Sequence, residues 1–395
     1  MTQQPEDRAK RPLYRDSRLL IAFSISVIAL MGTSSITPAL PTIARVYAIS
    51  SDQIGWLVAV FTLPGVILTP VMGLLGDRHG RKKVVVPSLL LFGAAGSACA
   101  FAPDYETLLA LRVVQGIGGA ALSALVAALI GDFFTGAARA HALGYNAGVV
   151  SVSAAVYPII GGALTLLSWH YPFLLAVLAV PVAALVGWGL PPAAPVAREA
   201  FGDYLRRLAR AVANRSVALV LLASFITFIL IYGVLITYLP FLLERDFHTT
   251  PLDYGIVMAA NAVAGAVTSL RVGSIMRRYS GRAVLTVSFA VTAVATIAIP
   301  LVHFLPAVVF ACVVLGSMQL QVLAISQILL TELVPVAQRG AIMAVNSMAF
   351  RLGQTIGPTL LGLVLALYGL DMVFIVAGVL SLLVVPLCAL IAPRR

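Results

Sequence analysis

Charged residues are scarce in this chain. Only 10% of its 395 residues are Asp, Glu, Lys or Arg, and the mean hydropathy is +1.02. Soluble domains carry about 25% charged residues, because their surfaces must be hydrated. The shortage of charge excludes a soluble globular protein, and the 61% share of hydrophobic residues indicates an integral membrane protein.

Cysteines and catalytic signatures are also few. Cys99, Cys312 and Cys388 all lie within long apolar runs, which excludes a disulfide framework and leaves them as packing residues. The sequence contains no GxSxG or HExxH motif, and none of its five histidines belongs to a cluster within an apolar run. We therefore predict no catalytic residues, no metal site and no cofactor, and we predict that the protein is not an enzyme.

Long apolar runs dominate the sequence. Each covers about 18–25 residues, which is enough for a helix to cross the hydrocarbon core of a membrane. The first run follows five basic residues but is not followed by a small-residue cleavage site, so we interpret it as an uncleaved span. We predict an all-α integral membrane protein with twelve transmembrane helices, at 19–39, 53–75, 84–103, 107–131, 140–167, 171–190, 217–243, 252–275, 283–302, 305–331, 340–367 and 371–392.

The basic residues sort by side once these spans are placed. With the N-terminus in the cytoplasm, 22 of the 26 basic residues fall in cytoplasmic segments, which is the positive-inside pattern. This predicts a multi-pass protein of the cell membrane with both termini cytoplasmic, and the short loops favour a bacterial inner membrane. Topology and anionic lipid account for the net charge of +11, so no nucleic-acid partner is needed.

No carboxylate lies near the middle of a predicted span. Eight of the 15 acidic residues fall in cytoplasmic segments and the other seven on the outside. A strongly cationic substrate would call for a buried acid, so we disfavour one. Proton coupling would then use an acid near a span end, such as Asp77, Asp52 or Asp253, or a histidine.

The two halves of the chain resemble each other at an offset of 200 residues. Several matches in the same order indicate duplication, and two six-span halves with a path between them are typical of transporters. The matching positions are Asp132 and Glu332, Arg139 and Arg339, Asn146 and Asn346, Pro158 and Pro358, Gly162 and Gly362, Gly73 and Gly273, and, slipped by one residue, Gly80–Arg81 and Gly281–Arg282.

The predicted organisation follows from this duplication. We place a cytoplasmic arm at 1–18, one six-helix half at 19–190 and the other at 217–392. The linker at 191–216 has apolar and basic residues at the spacing of an interfacial amphipathic helix, with a plain solvated linker as the alternative.

Three motifs point to a known family. Gly73–Lys83 has the pattern G-x-x-x-D-R-x-G-R-K/R after the second span, and 111–119 has R-x-x-Q-G-x-G-x in the fourth. Residues 157–162 match G-P-x-x-G-G in part, because Tyr157 replaces the first glycine. The chain therefore resembles the major facilitator superfamily and, within it, the twelve-span drug:proton antiporters.

The resemblance implies a mechanism. It implies two pseudo-symmetric six-helix halves that work by alternating access and export multiple drugs or a metabolite, with the proton gradient as energy source and no other cofactor. The expected partners are a small-molecule substrate, protons and membrane lipid, and we expect a monomer. A facilitator or importer of a small metabolite on the same fold is the alternative.

The charged turn between the second and third spans is the predicted conformational latch. Asp77 stands where a carboxylate can cap a neighbouring helix, and the resemblance implies that this helix is the eleventh span. Arg81 is expected to pair with Asp132, and Arg282 with Glu332 in the second half. The alternative is that these are ordinary surface charges whose pairs are worth about 0–1 kcal/mol. The predicted latch residues are Gly73, Asp77, Arg78, Gly80, Arg81, Asp132, Arg282 and Glu332.

Two arginines lie inside predicted spans. A cation there costs about 2.5–3.5 kcal/mol or more, so Arg112 and Arg351 are expected to face a cavity or a partner. Together with Gln115 they are the predicted coupling or substrate residues. For Arg112, the alternative is a side chain that reaches outward or is satisfied by backbone carbonyls.

Neutral polar side chains complete the predicted site. In the family that the chain resembles, the first, fourth, seventh and tenth spans line the path. With the two arginines, these side chains predict a mostly apolar pocket for neutral or anionic amphiphiles, such as drugs, a siderophore-like metabolite or a lipid-like molecule. For each residue, hydrogen bonding between helices is an equally good explanation. The candidates are Ser34, Tyr232, Tyr238, Asn261, Gln319, Gln321 and Asn346.

Overall fold

The computed structural model describes residues 13–191, 214–335 and 338–391. In these ranges the chain forms helices and turns without any strand. Twelve of the helices are long and apolar enough to cross a membrane, which confirms the predicted fold. Their bounds are Ser17–Val46 (α1), Gly55–His79 (α2), Arg81–Phe101 (α3), Tyr105–Phe133 (α4), Gly136–Leu167 (α5), Tyr171–Gly189 (α6), Arg215–Phe247 (α7), Pro251–Arg278 (α8), Gly281–Leu301 (α9), Leu305–Leu333 (α10), Arg339–Tyr368 (α11) and Leu370–Ala389 (α12).

Helix α1 extends beyond its predicted end at 39. The segment Ser17–Ser34 continues through a 3-10 turn, Thr37–Ala39, into a second helical segment, Leu40–Val46. Pro38 and Pro41 each stand in the first turn of a new segment. A proline is tolerated there because its missing N–H has no intrahelical partner to lose. The prolines start new helical segments within this span and do not end it.

Helix α7 also departs from a regular α-helix. Its middle, Leu230–Tyr238, has π-helical hydrogen bonding, and the Thr237 hydroxyl donates to the Tyr232 carbonyl at 2.7 Å. A π-helical stretch changes the direction in which the following side chains point and often occurs at functional sites. Tyr232 lies in this stretch.

The turns between spans are short and have clear local causes. Gly80 joins α2 to α3 with φ of 91°, a conformation that favours glycine. Asp104 precedes α4 and accepts a hydrogen bond from the Thr107 N–H at 2.7 Å, which holds the pKa of its carboxyl below the ordinary value. Helix α8 starts with a capping box between Thr250 and Asp253. The predicted linker helix within 191–216 falls almost wholly outside the described residues.

The two halves repeat the same helix packing. In the first half α2 packs on α4, α1 on α5 and α3 on α6; in the second half α8 packs on α10, α7 on α11 and α9 on α12. Between the halves, α2 packs on α11 and α5 on α8. We call the end of the bundle that carries Ser17 and Ala389 the terminal side, and the other end the far side.

At the far side the halves touch through backbone atoms. A Cβ added at Gly255 of α8 would lie 2.4 Å from the Pro158 carbonyl oxygen of α5, and one at Gly55 of α2 would lie 2.7 Å from that of Pro358 in α11. These two crossings are related by the same offset of 200 residues. Arg45 of α1 also forms an ion pair with Glu244 of α7, so the far side is closed.

At the terminal side the halves are apart. Among the described residues, a Cβ added to five glycines in this part of the spans would meet no atom within 4 Å; these glycines are Gly73, Gly144, Gly148, Gly273 and Gly340. At Gly76, Gly131 and Gly281 the nearest atoms belong to the same half. The bundle is therefore closed at the far side and open at the terminal side.

Candidate functional site

A cavity of about 260 Å³ lies between the two halves. Helices α1, α2, α4 and α5 form most of its wall, and α7 and α11 close it from the second half. Its lining residues are Ser26, Ala29, Leu30, Thr33, Phe61, Gly65, Gly116, Gly119, Ala120, Ser123, Val126, Ala127, Asn146, Val150, Tyr232, Arg351 and Gln354.

Helix α4 contributes a stripe of small residues to this wall. Gly116, Gly119, Ala120, Ser123 and Ala127 follow one another at helical spacing, so they lie on one face of the helix. Small side chains leave space in front of that face, and this space is part of the cavity. In the same way α1 presents Ser26, Ala29, Leu30 and Thr33.

Arg351 of α11 is the one charged side chain among the described residues of the cavity wall. One guanidinium nitrogen, Nη2, donates to the Ser123 hydroxyl of α4, in the other half of the bundle. The other, Nη1, donates to the Gln354 side-chain oxygen at 3.2 Å. Both acceptors are neutral, so the positive charge is solvated by hydrogen bonds but not neutralised by the wall.

Arg112 lies behind the cavity wall and not in it. Its side chain is 1% exposed, and Nη1 donates to the Gly32 carbonyl and to the Gln115 side-chain oxygen, both at 2.8 Å. The Nε group donates to the Leu57 carbonyl at 3.3 Å, and the guanidinium stacks 4.2 Å from the centre of the Phe61 ring. Arg112 therefore ties α1, α2 and α4 together. Neither Arg112 nor Gln115 belongs to the cavity wall, and their coupling or substrate role stays a prediction.

The charged turn forms a compact ion-pair group at the terminal side. Arg81 Nε donates to Asp132 at 2.6 Å, and Arg81 Nη2 lies 3.0 Å from Asp77. The predicted contact between Arg81 and Asp132 is present, but all three residues belong to the first half. The Arg81–Asp132 ion pair is already formed while the terminal side is open. Closing the terminal side is therefore not needed to form this pair.

The other latch contacts differ from the prediction or stay untested. In the part of the chain that the structure describes, Asp77 accepts no hydrogen bond from the first turn of α11. Arg282 donates to the Ala389 carbonyl of α12 at 3.4 Å; its pairing with Glu332 stays a prediction. Gly73 has no atom near its Cβ position and Arg78 is exposed to solvent, so neither takes part in a contact between the halves here.

The sequence profile of the Major Facilitator Superfamily matches this chain at residues 22–320 and, in a second match, at 220–395. Together the two matches cover almost the whole chain. The chain belongs to the major facilitator superfamily. It is a membrane transporter and not an enzyme.

Two curated relatives of Bacillus subtilis are named for export or for drug resistance. The chain is 34% identical over 157 residues to the bacillibactin exporter of Bacillus subtilis (strain 168), a match that covers 38% of this chain and 39% of the relative. It is 27% identical over 259 residues to multidrug resistance protein 1 of the same organism, covering 64% and 65%. The matches thus span less than two thirds of either relative.

Solved structures of this superfamily share the fold. The chain superposes on a bacterial homologue of the human lysosomal transporter Spinster with a TM-score of 0.81 and 16% identity, covering 95% of this chain and 96% of that one. It superposes on a D-xylose–proton symporter with a TM-score of 0.77 and 12% identity, covering 95% and 98%. These superpositions establish the architecture of the transporter. At such low identities they do not establish its cargo.

Most of the predicted cavity residues lie elsewhere in the transporter. Of the seven, only Tyr232 belongs to the cavity wall. The Tyr238 hydroxyl donates to the Pro358 carbonyl at 2.8 Å, Asn261 Nδ2 donates to the Cys312 carbonyl at 2.7 Å, and Gln321 accepts from Ser288 at 3.0 Å. These side chains join helices within the second half. Those outside the cavity wall are Ser34, Tyr238, Asn261, Gln319, Gln321 and Asn346.

Several residues of the cavity wall were not predicted from the sequence. Ser26, Phe61, Gly65 and Ser123 line the cavity but carry no charge or motif that would single them out. The helical spacing of small residues on α4 was the available signal, because a small-residue stripe marks either close helix packing or a cavity wall.

The two acids that contact Arg81 are expected to have different roles. Arg81 and Asp132 are 13% and 20% exposed, whereas Asp77 is 45% exposed. We predict that Asp132→Asn lowers the free energy of unfolding by about 1.5–3 kcal/mol, because a charge-assisted hydrogen bond to a largely buried partner is lost. The test is thermal unfolding of the purified transporter in detergent.

The exposed acid provides the matched comparison. Asp77→Asn is expected to lower the free energy of unfolding by less than about 1 kcal/mol. If Asp77 is a latch residue that stabilises the state in which the terminal side closes, the same change should reduce transport while membrane insertion stays normal. Unchanged transport by Asp77→Asn would remove Asp77 from the latch.

Proposed function

We propose that this transporter exports neutral or anionic amphipathic small molecules in exchange for protons. The observation that carries the proposal is the cavity between the halves. Its wall is mostly apolar, its one described charge is Arg351, and no carboxylate lies among its lining residues. Such a wall favours an apolar body and tolerates or attracts a negative group.

We also propose that the terminal side faces the cytoplasm. Basic residues of the described turns collect at this end, among them Arg78, Lys83, Arg277 and Arg278, and cytoplasmic loops are enriched in Lys and Arg. The cavity then opens to the cytoplasm, where an exporter collects its cargo. The closed far side would face the outside of a bacterial inner membrane, and alternating access would exchange the open and closed ends.

The names of the relatives support export as the direction. Both curated relatives described above are named for export or for drug resistance. A facilitator or importer of a small metabolite remains the alternative on the same fold, since the symporter of D-xylose shares the architecture.

Proton coupling needs a titratable group outside the cavity wall. At the terminal end of α4, Arg81 forms ion pairs with both Asp132 and Asp77. A proton on Asp132 would weaken its ion pair with Arg81. We propose this group as the first place to look for the proton carrier.

The decisive experiment uses inverted membrane vesicles. We expect vesicles with the transporter to accumulate a fluorescent amphiphile when their interior is acidified, and to release it when an uncoupler collapses the gradient. Vesicles without the transporter are the control. Accumulation that is indifferent to the pH gradient would contradict proton exchange, and movement only out of these vesicles would favour the importer.

A further inference from the structure

Arg351 connects the two halves across the cavity. Its guanidinium reaches from α11 to Ser123 on α4. Its stem crosses α2 at Gly65, where a Cβ would lie 3.1 Å from Arg351 Cδ and 3.3 Å from Nε. Because position 65 has no side chain, the arginine can lie flat against α2. A second-half residue is thereby seated between two first-half helices.

The seat holds the guanidinium through neutral groups. The hydroxyl of Ser123 and the amide oxygen of Gln354 accept its hydrogen bonds, and the wall supplies no carboxylate. An anion such as a carboxylate offers the guanidinium a full negative charge and two acceptor oxygens for a bidentate pair, whereas the Ser123 hydroxyl offers one neutral acceptor. An anion that enters the cavity therefore competes well against Ser123.

We propose that Arg351 binds the anionic group of the cargo, and that this binding displaces the guanidinium from Ser123 and so releases a tether between the halves. The inference rests on the proposed function, because it names the class of cargo and the residue that selects it. The Arg351–Ser123 hydrogen bond stabilises the state that is open at the terminal side until an anion replaces it. A ligand shifts such an equilibrium only through contacts that differ between the states, and we assign that part to this tether.

The first test compares two probes that differ in one charge. Anilinonaphthalene sulfonate and phenylnaphthylamine share the same aromatic body, and only the first carries a sulfonate. Binding of each is measured by fluorescence on the purified transporter in detergent, without a gradient. We expect Arg351→Gln to weaken sulfonate binding by at least about tenfold, and binding of the neutral probe by less than about twofold.

Two further variants separate charge selection from the tether. Arg351→Lys keeps the charge but loses the forked donor geometry, so we expect an intermediate loss of sulfonate binding. Ser123→Ala removes the competing acceptor, and we expect sulfonate binding to become about twofold to tenfold tighter. Thr62→Val is the matched control, because it removes another hydrogen bond between the halves, between the Thr62 and Thr355 hydroxyls at 2.9 Å, and leaves every hydrogen bond of Arg351 in place. It should leave the ratio of the two affinities unchanged.

Each outcome decides the inference. Equal losses for both probes in Arg351→Gln, or no sulfonate binding by the unmodified transporter, would overturn the assignment of Arg351. Unchanged or weaker sulfonate binding in Ser123→Ala would overturn the tether. If the sulfonate binds through Arg351 but does not accumulate in vesicles, the transport proposal is refuted and the role of Arg351 in binding stands. If Arg351→Gln accumulates the sulfonate at an unchanged rate under the gradient, the transport proposal stands and the role of Arg351 is refuted.

Discussion

Replacing Gly255 with valine is expected to open the far side of the transporter. Even a Cβ at this position would lie 2.4 Å from the Pro158 carbonyl oxygen, and 2.8–2.9 Å from two further backbone atoms of α5. A backbone carbonyl cannot rotate away as a flexible side chain can. The overlap is relieved only if α8 moves away from α5, which is the movement that opens this side.

The size of the shift follows from the cost of overpacking. An extra group in a well-packed contact costs about 1–3 kcal/mol, which corresponds to a roughly five- to 150-fold change in the equilibrium between two states. The symmetric crossing at Gly55 and Pro358 is expected to respond in the same way, since its Cβ distance is 2.7 Å. Gly55→Val combined with Gly255→Val should open the far side further than either change alone.

Distances between spin labels at Arg45 and Glu244 measure this opening. These positions lie on opposite halves and pair across the closed far side, and the three native cysteines are all buried and poorly reactive. Gly273→Val on the same helix is the control, because a Cβ there meets no atom within 4 Å. If the distance distribution in Gly255→Val matches both the control and the unmodified transporter, the Gly255–Pro158 crossing does not keep the far side closed.

The number of spans and the internal repeat could be predicted because both can be recognised without knowing which helices are in contact. Hydropathy over one run decides whether a helix can cross a membrane, and an offset of 200 residues needs no knowledge of contacts. The repeat even extends to Gly55 and Gly255, whose shared role appears only when Pro358 and Pro158 are seen against them. The continuation of α1 beyond residue 39 was missed because a proline that starts a segment and a proline that ends one look alike in sequence.

The cavity wall was harder to predict, because it depends on which helices meet. Arg112 and Arg351 look alike in sequence: each is a single cation in an apolar span. Arg112 faces the carbonyls of Gly32 and Leu57, whereas Arg351 faces the space between the halves. The polar side chains of Asn261 and Gln321 likewise face neighbouring helices of their own half. Periodicity gives the face of a helix but not the neighbour of that face.

Arg112→Leu is expected to destabilise the first half of the transporter severely. The change removes three charge-assisted hydrogen bonds, each worth about 1.5–3 kcal/mol, and a buried cation–π contact worth about 2 kcal/mol. It also removes a cation whose burial is costly, so the terms partly cancel. We expect a net loss of about 2–4 kcal/mol in the free energy of unfolding, in part because the Gln115 side-chain oxygen is left buried without its donor.

Tryptophan fluorescence reports on this half alone. Trp56, Trp169 and Trp188 all precede the linker, and the chain has no other tryptophan. Thermal unfolding followed by this signal should therefore shift strongly in Arg112→Leu, and much less in Arg351→Gln, which changes an arginine of the second half that lies in an open cavity. The comparison isolates the contribution of the ties between α1, α2 and α4.

Arg112→Lys distinguishes a structural tie from the coupling role predicted from the sequence. A lysine keeps the charge but has neither the planar fork nor the reach to serve Gly32, Leu57 and Gln115 together. As a tie, Arg112→Lys should unfold at a temperature between those of Arg112→Leu and the unmodified transporter, and the fraction that stays folded should transport with an unaltered pH profile. A lysine variant of normal stability with a displaced pH profile would instead make Arg112 part of the coupling machinery, although it lies behind Phe61 and outside the cavity.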